Sequence, residues 1–192
     1  MASCRGKTAL VTNASEAPGR VAAMTLAEHG ARVLIHDQQS AAKVESIVKA
    51  IVSTGGIAKA TAANAATAAG SKQLAQETRA VIGDRLDILV IDTSVVDPAA
   101  PFLLIELLLP ILNAGSSVIA IQPPRWKEGT TAGVLKQRAR QLISRGIRIN
   151  GIETESSGDV ARIGASILFL ATEDSGGMTG ATIDPAQREN RS

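Results

Sequence analysis

The chain has 192 residues, 45% hydrophobic and 20% charged, with a net charge of +2, which suits one soluble globular domain and excludes a disordered chain. A single cysteine, Cys4, excludes an internal disulfide and fits a reducing compartment. No charged segment precedes an apolar stretch at the start, and the longest apolar run, Phe102 to Leu112, is broken by Glu106, so neither a secretory leader nor a membrane span is expected and a cytoplasmic location follows.

The first predicted element is a strand over Thr8–Thr12, followed by a turn of small residues and a helix start at Pro18–Arg20. A second strand, Ala31–His36, ends at Asp37. Val44, Ile47, Val48 and Ile51 have the spacing of a helix face, with Ser40 as N-cap. A strand over Ile57–Ala62 follows, then a helix on Leu74, Thr78 and Val81 that starts after Ser71 and stops at Gly83. Strands over Leu86–Ile91 and Ser117–Ile121 bracket the Phe102 to Leu112 run, which is apolar almost all round and therefore buried. Val134, Arg138 and Leu142 make a weaker helix face, and Ile147–Ile152 another strand. Val160, Ile163, Ile167 and Leu168 after Asp159 make a strong helix face, and Ala181–Ile183 a last short strand. The polar tail, Gln187–Ser192, is expected to fray.

Strands that alternate with helices over short loops imply a parallel sheet covered on both faces. With aromatics at only 2%, the core is built of Ala, Val, Ile and Leu, as buried parallel strands require. The expected fold is therefore a single domain over residues 1–192, α/β and Rossmann-type. It is a doubly wound, mostly parallel sheet of six or seven strands with helices on both faces, and its ligand crevice lies at the carboxyl ends of the strands.

Six segments in order, KTALVTNASEAPGR, HGARVLIHD, LDILVIDTS, GSSVIAIQ, SRGIRINGIE and DVARIGASILFLATEDSGGMTGATIDPAQ, resemble the short-chain dehydrogenase/reductase family. The similarity is greatest to its 3-oxoacyl-carrier-protein reductase group. It implies an NAD- or NADP-dependent oxidoreductase by descent, with the dinucleotide seated on the loop after the first strand. That loop reads T-G-x-x-x-G-x-G in the family. Here Thr12 and Gly19 match, while Asn13 and Ala17 replace two glycines.

Asn tolerates the left-handed turn, Ala17 crowds the pyrophosphate, and Pro18 removes an N–H donor from the helix start. Binding of NAD or NADP is expected to be weak. The resemblance makes Thr12, Asn13, Ser15, Ala17, Gly19, Asp37 and Asn64 the cofactor-binding candidates. Asp37 fits either the acid that holds the adenosine ribose or a plain turn residue of the Asp-Gln-Gln-Ser loop. Asn64 stands where the family has an Asp near the adenine.

The family's chemistry uses a tyrosine acid, a lysine that lowers its pKa and a serine that orients the carbonyl. Counting back from Gly146 puts the tyrosine near Pro124 and the lysine near Glu128, with the serine at Gln122 or Pro123. The chain contains no tyrosine, and Glu128 has the wrong charge to lower an acid's pKa. Lys127 has no phenol to assist. The stretches between Ser94 and Leu109, and between Glu155 and Gly158, are too short for the family's catalytic asparagine helix and substrate lobe.

No catalytic residue is therefore assigned. The leading expectation is a degenerate relative that does not use the Ser-Tyr-Lys mechanism and binds a dinucleotide weakly or serves as a structural partner. The alternative is an NAD(P)-dependent reductase of ketones, alcohols or 3-oxoacyl groups whose rebuilt site uses Lys127, Glu128 or Asp92. A third reading is a shortened derivative with no selected function.

Other candidates carry less. His29 reads as a cation at a helix C-terminus, His36 as a strand-end residue, and Cys4 as an unreactive thiol. No cluster has metal-ligand spacing, so no metal is expected. Lys136, Arg138, Arg140, Arg145 and Arg148 read as a solvated helix face, with no nucleic acid or membrane as partner. The Phe102 to Leu112 run fits either core packing or association, as a homo-oligomer or with an active relative.

Overall fold

The computed structural model describes residues 2–93, 99–122, 131–154 and 159–186. Its strands are β1 (Thr8–Val11), β2 (Arg32–His36), β3 (Ile57–Thr61), β4 (Leu86–Asp92), β5 (Leu112–Gln122), β6 (Arg148–Glu153) and β7 (Thr182–Ile183). Between successive strands lie helices α1 (Gly19–Glu28), α2 (Ala41–Ser53), α3 (Ala68–Ile82), α4 (Ala100–Leu108), α5 (Thr131–Leu142) and α6 (Val160–Ala171). Among the described residues the strands form one sheet in the order β3-β2-β1-β4-β5-β6-β7, with every neighbouring pair parallel. The expected doubly wound Rossmann-type fold is thus observed.

Alternation along each strand divides the core in two, because successive side chains point to opposite faces. Ala9, Val11, Ile88, Val90, Ile119 and Ile121 pack with α1, α2 and α6 on one face. Leu10, Leu34, Leu89, Ile91, Val118 and Ala120 pack with α3, α4 and α5 on the other. The winding reverses between β1 and β4, the point at which a sheet of this kind opens a crevice.

Several boundaries differ from the sequence reading. α3 begins at Ala68, capped by Thr67, whose hydroxyl accepts the Gly70 N–H at 3.1 Å. Ser71 instead lies buried in the first turn and donates to the Ala65 carbonyl at 3.0 Å. β5 begins at Leu112 rather than Ser117, because its register shifts: Leu86 pairs with Leu112 but Ile88 with Ser117. The intervening Asn-Ala-Gly-Ser breaks the apolar alternation and hides the strand's first part. In α5 the buried stripe is Leu135, Ala139 and Leu142, while Arg138 pairs with Glu106 of α4. At the start of α6, Val160 faces outward, 57% exposed.

The basic cluster is not one solvated face. Arg148 lies buried on β6, and its guanidinium donates to the Leu170, Thr172 and Ser175 carbonyls at 3.1, 3.1 and 3.3 Å and to the Ser175 hydroxyl at 2.6 Å. Arg145 donates to the Leu109 carbonyl at 2.8 Å. In the apolar run, Phe102, Leu104, Ile105 and Leu108 of α4 are buried, while Leu103, Leu107 and Leu109 are half-buried. Ser40 caps α2 as expected, Asp159 caps α6, and Gly83 ends α3 at φ 90°. The tail from Gln187 lies outside the described residues. No described helix is long and apolar enough to cross a membrane.

Candidate functional site

The loop between β1 and α1 sits at the switch point and is held by the strands on either side. Thr12 donates its N–H to the Val90 carbonyl at 3.0 Å, and its hydroxyl accepts the Asp92 N–H at 3.0 Å. Asn13 takes the left-handed conformation at φ 50°, as its residue type allows, and its amide donates to an Asp92 carboxyl oxygen at 3.3 Å. Ala14 donates to the His36 carbonyl at 3.1 Å. The loop is therefore stitched to β4 on one side and to the end of β2 on the other.

Gly19 is required by packing. A Cβ built there would lie 2.6 Å from the Asn13 carbonyl oxygen, closer than any real contact. The one loop glycine kept besides its matching Thr12 lets α1 close against its own loop. Pro18 stands just before the helix, as its N-cap, and supplies no side-chain cap. It brings no N–H, and the Arg20 N–H is already donated to the Glu16 carbonyl at 2.9 Å. The helix start thus offers an anion fewer donors than a glycine-rich loop would. Glu16 forms an exposed ion pair with Lys43 of α2, tying the outer loop down.

Asp37, 4% exposed, uses both carboxyl oxygens within the chain. One accepts the Ser15 N–H at 3.0 Å, and the other accepts Gln39 and Ser40 at 2.7 and 3.3 Å. Burial pushes its pKa up, but the hydrogen bonds from Ser15, Gln39 and Ser40 outweigh burial and hold it below its ordinary value. This carboxylate braces the loop against the β2–α2 turn. Asn64 is exposed, and its side chain accepts the Ala66 N–H at 3.1 Å in a local turn. Of the seven cofactor-binding candidates, the structure puts Thr12 and Asn13 on the crevice wall, Ser15 on Asp37, Ala17 and Gly19 in loop packing, and Asn64 to the side.

The crevice itself is small. Between Thr12, Asn13 and Asp92 on the sheet side and Ala100, Pro101 and Leu104 on α4, the cavity measures about 20 Å³. That is room for about one water, whereas small-molecule sites run from about 300 Å³ upward. The cavity bounded by these described residues is smaller than a dinucleotide, and no catalytic step is built on one.

Of the positions that align with the family's catalytic residues, only Gln122 is described; Pro123, Pro124, Lys127 and Glu128 lie outside the described residues. Gln122 is buried at the end of β5. Its amide nitrogen is 3.5 Å from the Thr182 hydroxyl, and its Oε1 has no hydrogen-bond partner among the described residues.

His36 is buried, with Nε2 2.6 Å from the Ala63 carbonyl and Nδ1 unpartnered. Burial lowers its pKa against the opposing pull of the Ala63 carbonyl, Asp37 and Glu77. His29 caps the end of α1, its Nδ1 2.8 Å from the Thr25 carbonyl. Cys4 is buried, which raises its thiol pKa against the opposing charge of Lys7 and makes it a poor nucleophile. No group of three metal-binding side chains occurs among the described residues.

Sequence reasoning missed the crevice wall contributed by α4. The only local signal was Pro101, which suits the first turn of a helix and so marks where α4 begins. It also missed the commitment of Asp37 to Ser15, which joins residues 22 apart and leaves no local pattern.

Comparison with known proteins agrees with this architecture. The family described as short chain dehydrogenase matches residues 7–106. A 3-oxoacyl-[acyl-carrier-protein] reductase, FabG, of Staphylococcus aureus strain Mu50 is 30% identical over 235 aligned positions, covering 92% of this chain and 95% of that protein. The alignment is longer than the 192-residue chain, so part of that protein has no counterpart here. A dehydrogenase/reductase from Sinorhizobium meliloti 1021 superposes with a TM-score of 0.83 at 25% identity, covering 95% of this chain and 94% of that one. A short chain dehydrogenase from Burkholderia cenocepacia J2315, solved in complex with NADP, shares the fold with a TM-score of 0.80 at 19% identity, over 94% of this chain and 96% of that one. The chain belongs to the short-chain dehydrogenase/reductase family, most like its 3-oxoacyl-[acyl-carrier-protein] reductases.

Proposed function

We propose that this chain has kept the family's fold and lost its Ser-Tyr-Lys mechanism, and that it acts as a weak dinucleotide binder or as a structural partner in a homo-oligomer or beside an active relative. The observation that carries this reading is the absence of any tyrosine in the sequence. With no phenol in the chain, no register of the active-site helix restores the family's proton donor. The small cavity beside Thr12 and Asn13, the Pro18 helix start and the internally bonded Asp37 support weak binding of NAD or NADP. A cytoplasmic location and the lack of a metal belong to the same reading.

The test is calorimetric titration with NADH and NADPH, followed by turnover assays on a panel of ketones, 3-oxoacyl thioesters and alcohols. The expected result is a dissociation constant of about 1 mM or weaker, with no turnover. Micromolar binding, with turnover abolished by changing Asp37 or Gly19, would establish the alternative of a working oxidoreductase with a rebuilt site. The Oε1 of Gln122, unpaired among the described residues at one of the two positions that match the carbonyl-orienting serine (Gln122 or Pro123), is the observation on that side.

A further inference from the structure

A second recess lies at the opposite end of the sheet from the crevice. Parallel register pairs Arg32 with Ile57 and Leu34 with Lys59. Residues two apart on a strand share a face, and register partners point the same way. All four side chains therefore emerge on the face that carries α3. That helix covers the upper part of the face but stops at Ile82, where Gly83 turns the chain away. The lower part is left open as a recess of about 290 Å³, walled by Leu34, Ile57, Val81 and Ile82 and flanked by Arg32 and Lys59. Ile57, the first residue of the edge strand β3, is 58% exposed.

Neither Arg32 nor Lys59 forms an ion pair among the described residues. Glu77 of α3 accepts from Thr61 and Gln73, and Asp87 pairs with Arg85. An apolar floor with two unpaired cations on the same face complements a ligand with an apolar body and one anionic end. A second copy of the chain fits worse, because a two-fold contact here would bring both pairs of cations together.

We propose that this recess binds a small aliphatic carboxylate, with its alkyl chain on Ile57, Val81 and Ile82 and its carboxylate between Arg32 and Lys59. The volume is at the lower end for small-molecule sites, which suits a medium-length chain and excludes a dinucleotide. A guanidinium and an ammonium on one carboxylate give charge-assisted hydrogen bonds at the surface.

The test is an NMR titration of ¹⁵N-labelled protein with octanoate. Saturable shifts are expected at the amides of Ile57–Lys59 and Val81–Gly83, with a dissociation constant below about 1 mM. Butyrate and 1-octanol should each bind about tenfold more weakly, the first for lack of chain and the second for lack of charge. The doubly exposed variant Arg32→Glu/Lys59→Glu should weaken octanoate by about tenfold or more while leaving the rest of the spectrum in place. Ile57→Ser supplies an independent variant with the same expected direction should the double change disturb the fold.

Shifts that do not saturate, that fall on other residues, or that are equal for octanol and octanoate would overturn the assignment. Lys59 would then be a charge that guards an edge strand from pairing.

Discussion

Replacing Asp37 by alanine separates two roles that its position at the end of β2 allows. If the carboxylate braces the loop, the protein without any ligand should lose stability. Of the three N–H groups it accepts, that of Ser15 belongs to a buried residue, while Gln39 and Ser40 lie nearer solvent and can rehydrate. The loss is therefore close to one buried hydrogen bond to a charged acceptor, about 1.5–3 kcal/mol. For a domain of this size that is a fall in Tm of about 3–12 °C, read by circular dichroism or differential scanning fluorimetry.

The pH dependence carries a sign of its own. Hydrogen bonds from Ser15, Gln39 and Ser40 hold the folded pKa below the ordinary value despite burial. The stabilisation is then present above the unfolded pKa of about 3.9 and is lost as pH falls through the lower folded value. The gap between wild type and Asp37→Ala should stay constant from neutral pH down to about 4 and close below it. An unchanged Tm at neutral pH would refute the bracing role and leave Asp37 as a group held ready for a ligand.

Three further outcomes follow from the same geometry. In Gly70→Ala the new methyl would sit 1.7 Å from the Asn64 carbonyl oxygen, and the turn before α3 must move, costing about 3 kcal/mol in urea unfolding. His36→Gln should flatten the fall in stability on acidification. Burial lowers the folded pKa of His36 against its nearby acids, so stability is full above about pH 6.5 and declines below it by at most about 1.4 kcal/mol per pH unit. Equal slopes in the variant and wild type would show that His36 does not titrate. Arg148→Met keeps the side-chain stem but strips donors from the Leu170, Thr172 and Ser175 carbonyls, with an expected loss of about 2–4 kcal/mol by denaturant titration.

Local chemistry was legible wherever the determinant was local. The strand at Thr8, the Val44–Ile51 helix face, the cap at Ser40, the helix face after Asp159 and the left-handed Asn13 all follow from side-chain period or residue type. Legibility failed where a short polar insert broke the pattern, as at residues 113–116 of β5, and where a charged residue was neutralised by distant carbonyls, as at Arg148.

What this sequence determined unaided was the alternation of strands and helices, the family it descends from, and the absence of the phenol that the family's chemistry needs. Those properties depend on residue type and spacing along the chain. The tertiary structure alone decided that Asp37 is bonded to the loop, that Gly19 is held by the Asn13 carbonyl, that α4 lines the crevice, and that the face beyond α3 stays open beside Arg32 and Lys59. Each of these depends on the strand order and register that bring remote residues within a few ångströms, and no local pattern in the chain encodes that distance.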